Sequence, residues 1–243
     1  MEMTLVITAD PGLGAARGMR LASEPDNLDA VLDGVVYDKL LLTFDRVGLT
    51  PGDRYWLTVD STTVTPAAGF NAGFTQLDVW AEQTYGPAGG YCDTGITFAV
   101  RGTAGPCYGG ITSNISDDFS QWDDREHRAL ISLSGADVSD VDFGFSFNVV
   151  TNLEGVGGTS AQGSLRRFID NANSVTGANT MRFVPAVATN GTDGTNDWWS
   201  LIPTVSLPAI TDATSTFDGT AYDEADGTTV LDPNPAGPEL ELD

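Results

Sequence analysis

One amphipathic stripe stands in a chain that is otherwise cut into short β-prone runs. In Gly163-Ser-Leu-Arg-Arg-Phe-Ile-Asp-Asn-Ala-Asn173, Leu165, Phe168, Ile169 and Ala172 fall at i, i+3, i+4 and i+7, one apolar face of about two turns. Gly163 and Ser164 open this segment, and the Ser hydroxyl can cap the free N–H groups of a helix. Thr180-Met-Arg-Phe-Val184 and Ser215-Thr-Phe-Asp-Gly219 follow as short strands ending at turn residues. A lone helix feeding short strands reads as a cap on stacked β-coils.

Elsewhere, 28 Gly and 12 Pro separate runs rich in Val, Thr, Phe and Trp, the pattern of an all-β protein. The candidate strands are Thr4–Thr8, Leu40–Phe44, Tyr55–Val64, Phe74–Ala81, Ile96–Val100, His127–Leu133 and Val141–Val149. Leu40–Phe44 and Tyr55–Asp60 flank Leu49-Thr-Pro-Gly52 and are expected to form a hairpin. Phe143, Phe145 and Phe147 alternate with Gly144 and Ser146, which puts three aromatics on one face of a half-buried, closely approached strand. The Gly-rich stretch 150–160 is the expected boundary between residues 1–150 and 151–243.

At 243 residues, 41% hydrophobic and 9% aromatic, the chain can bury a sizeable core and is not disordered. No apolar run approaches the ~18 residues of a membrane span. The first residues lack the basic and apolar regions of a signal peptide, which suits a mature form, a fragment or a cytosolic protein. Thirty-four acids against eleven bases give a net charge of −23, with Lys39 the only lysine. Such a surface repels phosphate backbones, which excludes nucleic acid as a partner class.

Cys92 and Cys107 flank an irregular segment rich in Gly, Thr and Pro. A zinc site needs further ligands, and His127 is the only histidine, so a disulfide or two buried thiols are the two readings. A disulfide would close a loop of about 15 residues, contribute roughly 3 kcal/mol, and imply an oxidising, extracellular setting.

Catalytic constellations are poorly supported. The single His127 stands at the start of a strand and is expected at a surface or sandwich edge, and no G-x-S-x-G turn occurs. Carboxylate pairs (Asp117/Asp118, Asp123/Asp124, Asp140/Asp142) arise readily by chance among so many acids. Calcium is the one cofactor considered: Asp137, Asp140 and Asp142 form one set of hard oxygen ligands, Asp223, Glu224 and Asp226 another, with solvated turns as the alternative for both. Trp198 and Trp199 could stack on a sugar, or start a strand with one ring packed inward. Asn114 and Asn190 begin N-glycosylation triplets, which matter only in a glycosylating secretory host.

The helix phrase and Leu207-Pro-Ala-Ile-Thr211 together resemble the entry segment of bacterial cell-surface proteins built on a right-handed parallel β-helix, of the adhesin-like or polymorphic-outer-membrane type. In that family a G-S-L-R-x-x-I-x-x-A-N helix precedes an I-x-F strand, an L-P-x-I-T phrase and an I-D-G turn. Here Met181-Arg182-Phe183 and Phe217-Asp218-Gly219 stand for the strand and the turn, and Asp142-Phe-Gly-Phe-Ser-Phe-Asn148 resembles the phrase that joins a preceding module to the cap. Gly48–Val59 is similar to the last hairpin of prealbumin-like surface modules.

The expected architecture is all-β: a β-sandwich over 1–150, then a short helix capping the start of a right-handed parallel β-helix over 151–243. Leu165, Phe168 and Ile169 would pack the cap. Thr228–Leu231 and Pro238–Leu242 read as first rungs, implying either a piece of a larger protein or a rung covered by another subunit. The resemblance implies a non-enzymatic structural or adhesive role at a prokaryotic cell surface, outside the membrane. The partners would be further copies joined head to tail, the rest of a larger surface protein, or glycans. The alternative is a glycan-binding or glycan-cleaving domain.

Overall fold

A computed structural model describes residues 4–9, 19–22, 30–32, 35–37, 54–61, 64, 66, 73–74, 78–85, 127–132, 143–223 and 229–243. These residues form sheets and one helix, an all-β class. The elements are β1 (Thr4–Ala9), β2 (Met19–Ala22), β3 (Ala30–Leu32), β4 (Val35–Tyr37), β5 (Arg54–Asp60), β6 (Glu82–Tyr85), β7 (Arg128–Ser132), β8 (Gly144–Ser146) and β9 (Val149–Val150), followed by α1 (Leu165–Ser174). After the helix come β10 (Thr180–Phe183), β11 (Gly191–Thr192), β12 (Asp197–Leu201), β13 (Thr216–Tyr222), β14 (Val230–Leu231) and β15 (Leu240–Leu242). Among the described residues no helix is long and apolar enough to cross a membrane.

The first sheet is antiparallel, in the order β2-β1-β5-β7. β5 lies between β1, with Ile7 opposite Leu57, and β7, with Leu57 opposite Ala129. Both edges of Tyr55–Thr58 are therefore occupied, which leaves no edge there for the hairpin expected with Leu40–Phe44, a segment outside the described residues. The expected strand Phe74–Ala81 is also displaced: Val79–Ala81 carry no ladder, and β6 starts at Glu82. The reason is a contact from far along the chain: the N–H and C=O of Trp80 both bond the side chain of Asn171 instead of a neighbouring strand. β6 pairs antiparallel with β8, as the aromatic strand requires. A Cβ on Gly144 would meet Thr84 Oγ1 at 2.8 Å and Tyr85 Cβ at 3.1 Å, so the close approach read from its Gly is real.

After residue 148 the pairing changes character. β9, β10 and β13 run parallel, with Phe183 level with Val150 on one side and Ala221 on the other. β12 and β15 form a second parallel ladder, with Trp199 level with Leu240 and Leu201 level with Leu242. Parallel neighbours need long connections. Here α1 links β9 to β10, the stretch carrying β11 and β12 links β10 to β13, and the stretch carrying β13 and β14 links β12 to β15. β14 departs from the expectation of a rung: it turns back antiparallel onto β13, Tyr222 opposite Val230, closed by Asp223 N–H donating to Thr229 O at 2.7 Å.

The core of this part gathers Val150, Leu165, Phe168, Ile169, Ala172, Met181, Phe183, Trp199, Leu201 and Ala221, all buried. Phe183 meets Trp199 edge-to-face at 5.5 Å, and Phe168 meets Phe217 at 5.3 Å. A helix of ten residues is marginal alone. Burial of Leu165, Phe168 and Ile169, at roughly 1.5–3 kcal/mol each, is what holds it.

Candidate functional site

The helix is built as its sequence reads. Ser164, in extended conformation, accepts a hydrogen bond from Arg167 N–H at 3.1 Å and is the N-cap. At the other end Asn179 Nδ2 donates to Val175 O (2.9 Å) and Gly177 O (3.1 Å), satisfying carbonyls that the last turn leaves open.

Polar residues of α1 then tie down the strands and loops around it. Arg166 donates from Nε to Gly155 O and from Nη2 to Val205 O and Ser206 O, each at 3.0 Å. Asn173 accepts from Thr211 N–H (2.7 Å) and Thr211 Oγ1 (2.9 Å), and donates to Ala209 O (2.8 Å). The G-S-L-R…A-N phrase and the L-P-A-I-T phrase thus occur together for a physical reason. Arg166 and Asn173 supply the hydrogen bonds that the loop backbone over 205–211 would otherwise lack. Asn171 reaches the opposite way, to Trp80 and to Phe147 O at 3.0 Å. Beside it Arg167 stacks over Trp80 at 5.7 Å; burial lowers its pKa, opposed by the charges of Asp170 and Asp78.

Beneath the helix N-terminus lies a buried polar joint. Gln162, fully buried, directs Nε2 at Ala81 O (2.7 Å), Ser61 Oγ (3.0 Å) and His127 Nε2 (2.9 Å). His127 Nδ1 faces Gln83 Oε1 at 3.0 Å, and Phe145 meets the ring edge-on at 5.0 Å. The expected surface or edge position of His127 is therefore wrong. The ring is wholly buried, which is tolerated because amide side chains meet both nitrogens. Glu82 is buried as well: Oε1 accepts from Gln83 N–H at 2.6 Å and Oε2 from Thr151 Oγ1 at 3.0 Å. Gly163 turns the chain there at φ +67, and a Cβ on it would clash with Glu82 Oε2 and Thr151 Oγ1. Sequence reading missed Gln162, Glu82 and Asn171. The only local sign was the placing of Asn171 and Asn173, poor helix formers, inside an amphipathic helix.

Phe143, Phe145 and Phe147 are half-buried around β8. The two tryptophans separate, as strand alternation demands. Trp199 is buried and donates from Nε1 to Val187 O at 2.8 Å, whereas Trp198 is half-buried on the outer face. Its Nε1 donates to Glu241 Oε2 at 2.7 Å. The Asn190 side chain is exposed but doubly bonded to Ser200, through Nδ2 to O (2.8 Å) and Oδ1 from N–H (2.7 Å).

Of the proposed calcium ligands Asp223 is described, at the turn into β14; Asp137, Asp140, Asp142, Glu224 and Asp226 lie outside the described residues, as do Cys92, Cys107 and Asn114. Among the described residues no three His, Cys, Asp or Glu side chains gather to hold a metal. No protein-family model matches the chain, and no solved structure matches it.

Proposed function

We propose that the chain is a structural, adhesive protein of a prokaryotic cell surface, in which residues 151–243 open a right-handed parallel β-helix behind a β-sandwich module. The observation that carries the reading is the pair of parallel ladders closed at one side by α1. Apolar residues repeat level with one another: Trp199 with Leu240, Leu201 with Leu242, and Phe183 between Val150 and Ala221. A strand–helix–parallel strand connection is right-handed in about 98% of cases, which supports the hand assigned to the β9-α1-β10 step. A scaffold of stacked coils presents long surfaces and serves adhesion and structure without catalysis.

In this reading the coils continue by strand addition, and the added strand comes from a second copy joined head to tail. Phe217, Val230 and Leu242, exposed on β13, β14 and β15, supply apolar surface for it to cover. The net charge of −23 opposes contact between copies, so assembly should strengthen with salt. The test is negative-stain microscopy and size-exclusion chromatography of the whole chain across a salt series. Fibres of regular repeat that grow with ionic strength support the filament. A monomer at every salt concentration removes it and leaves a spacer role inside a larger surface protein.

A further inference from the structure

We propose that the cleft beside Trp198, between β12, the loop over 193–196 and the segment leading into β15, binds a single neutral pyranose ring. The cleft measures about 210 Å³, which suits one small ring and is below the range of pockets for drug-sized ligands. Its wall is Trp198, held in place before any ligand arrives. A Cβ on Gly191 would clash with the indole, so the ring lies close over that backbone, and Nε1 is fixed by Glu241 Oε2 at 2.7 Å. A pre-positioned aromatic face loses little entropy on binding and matches the C–H face of a sugar.

The polar groups around the ring fit hydroxyls. Asn234 also lines the cleft and is only 9% exposed. Its Oδ1 accepts from Ala236 N–H at 3.3 Å, while Nδ2 donates to no acceptor among the described residues. Nδ2 is within reach of solvent, so this donor is open to a ligand hydroxyl. Asn196 is oriented by its Nδ2 bond to Asp193 at 3.1 Å, and among the described residues nothing donates to its Oδ1. Among the described residues nothing donates to Glu241 Oε1 beside the indole.

Charge selects among ligands. Among the described residues no basic side chain lines the cleft, and Asp193 and Glu241 do, so a carboxylate or phosphate is repelled. A calcium ion would need six to eight oxygens. Asp193 is already committed to Thr195 N–H, Asn196 N–H and Asn196 Nδ2, and one oxygen of Glu241 to the indole. A neutral polyol with donors and acceptors in pairs remains. The inference names a ligand for the adhesive reading and in that sense rests on it, but sugar binding and fibre formation are read by separate measurements.

The test is calorimetry and saturation-transfer NMR on the whole chain with methyl glycosides of glucose, galactose, mannose and N-acetylglucosamine, and with glucuronic acid as the charged probe. At least one neutral sugar should bind saturably with a Kd on the order of 1 mM. Trp198→Ala and Asn234→Asp should each weaken it by about tenfold or more, and glucuronic acid should bind about tenfold more weakly than glucose. Asn234→Asp keeps the acceptor for Ala236 N–H, so it decides the matter even if Trp198→Ala fails to fold. The proposal is overturned if no neutral sugar binds, if Asn234→Asp binds as tightly as the parent, or if glucuronic acid binds as well as glucose.

Discussion

Gln162 Nε2 sits 2.9 Å from His127 Nε2, and through that contact the segment entering the helix is bonded to the strand β7 region far earlier in the chain. The same amide reaches Ala81 O, so three separate stretches meet at one side chain. Replacing Gln162 by Leu leaves Ala81 O and His127 with unmet hydrogen-bonding groups in the interior. The expected loss is about 1–3 kcal/mol. For a chain of this size that lowers Tm by roughly 2–4 °C per kcal/mol in a thermal melt followed by circular dichroism. An unchanged Tm would show that the joint carries no stability.

Gly163 and Gly177 offer a matched comparison. Both have positive φ (+67 and +108), but a Cβ at 177 meets nothing within 4 Å, whereas at 163 it strikes Glu82 and Thr151. Gly177→Ala should cost about 1–2 kcal/mol, the backbone penalty alone. Gly163→Ala should cost clearly more, because a buried carboxylate would also have to move. Equal losses in urea titrations would contradict the packing described for Glu82.

The two adjacent tryptophans should respond oppositely. Trp199→Ala opens a cavity beside Phe183 and should cost about 3–5 kcal/mol. Trp198→Ala, on the outer face, should stay within about 1 kcal/mol. Denaturant unfolding of both variants checks this, and it also establishes whether Trp198→Ala is a usable binding variant.

Acid should destabilise the region around the helix C-terminus. Asp212 is held below the usual carboxylate range by the Ser215 hydroxyl, against the opposing effect of burial, with help from Asn179 and Thr214. Asp193 is lowered by the N–H groups of Asn196 and Thr195. A carboxylate with a depressed folded-state pKa stabilises above its unfolded value, about 3.9, and that stability disappears as pH falls through the lower folded value. Tm should therefore hold steady from neutral pH to about 5 and drop below about 4. Asp212→Asn should melt lower than the parent at pH 7, with the gap closing in acid. A gap that is constant across this range would refute the assignment.

The helix was legible in full, because its stripe, its Ser cap and its Gly entry are all local signals. The strand at 180–183 was legible too, and so was the start of the second, but β13 does not stop at Asp218-Gly219 as its turn residues suggested and runs on to Tyr222, paired to β10 and β14. The Trp198/Trp199 alternation followed from the two-residue period of a strand. The pairing partners of β5, the antiparallel return of β14 and the loss of strand over Val79–Ala81 were not legible. Each depends on what a backbone meets across space, and for Trp80 that is the Asn171 amide, 91 residues away.

Capping, periodicity and turn chemistry act within a few residues, and so the all-β class and helix α1 with its buried face could be read from the chain before it folds. Folding in three dimensions was needed to bring Arg166 and Asn173 to the loop over 205–211, to place His127 in the interior, and to set Asn234 in the cleft beside Trp198. Those outcomes follow from satisfying buried polar groups, and partners for such groups are chosen by proximity in the folded chain, which no local pattern encodes.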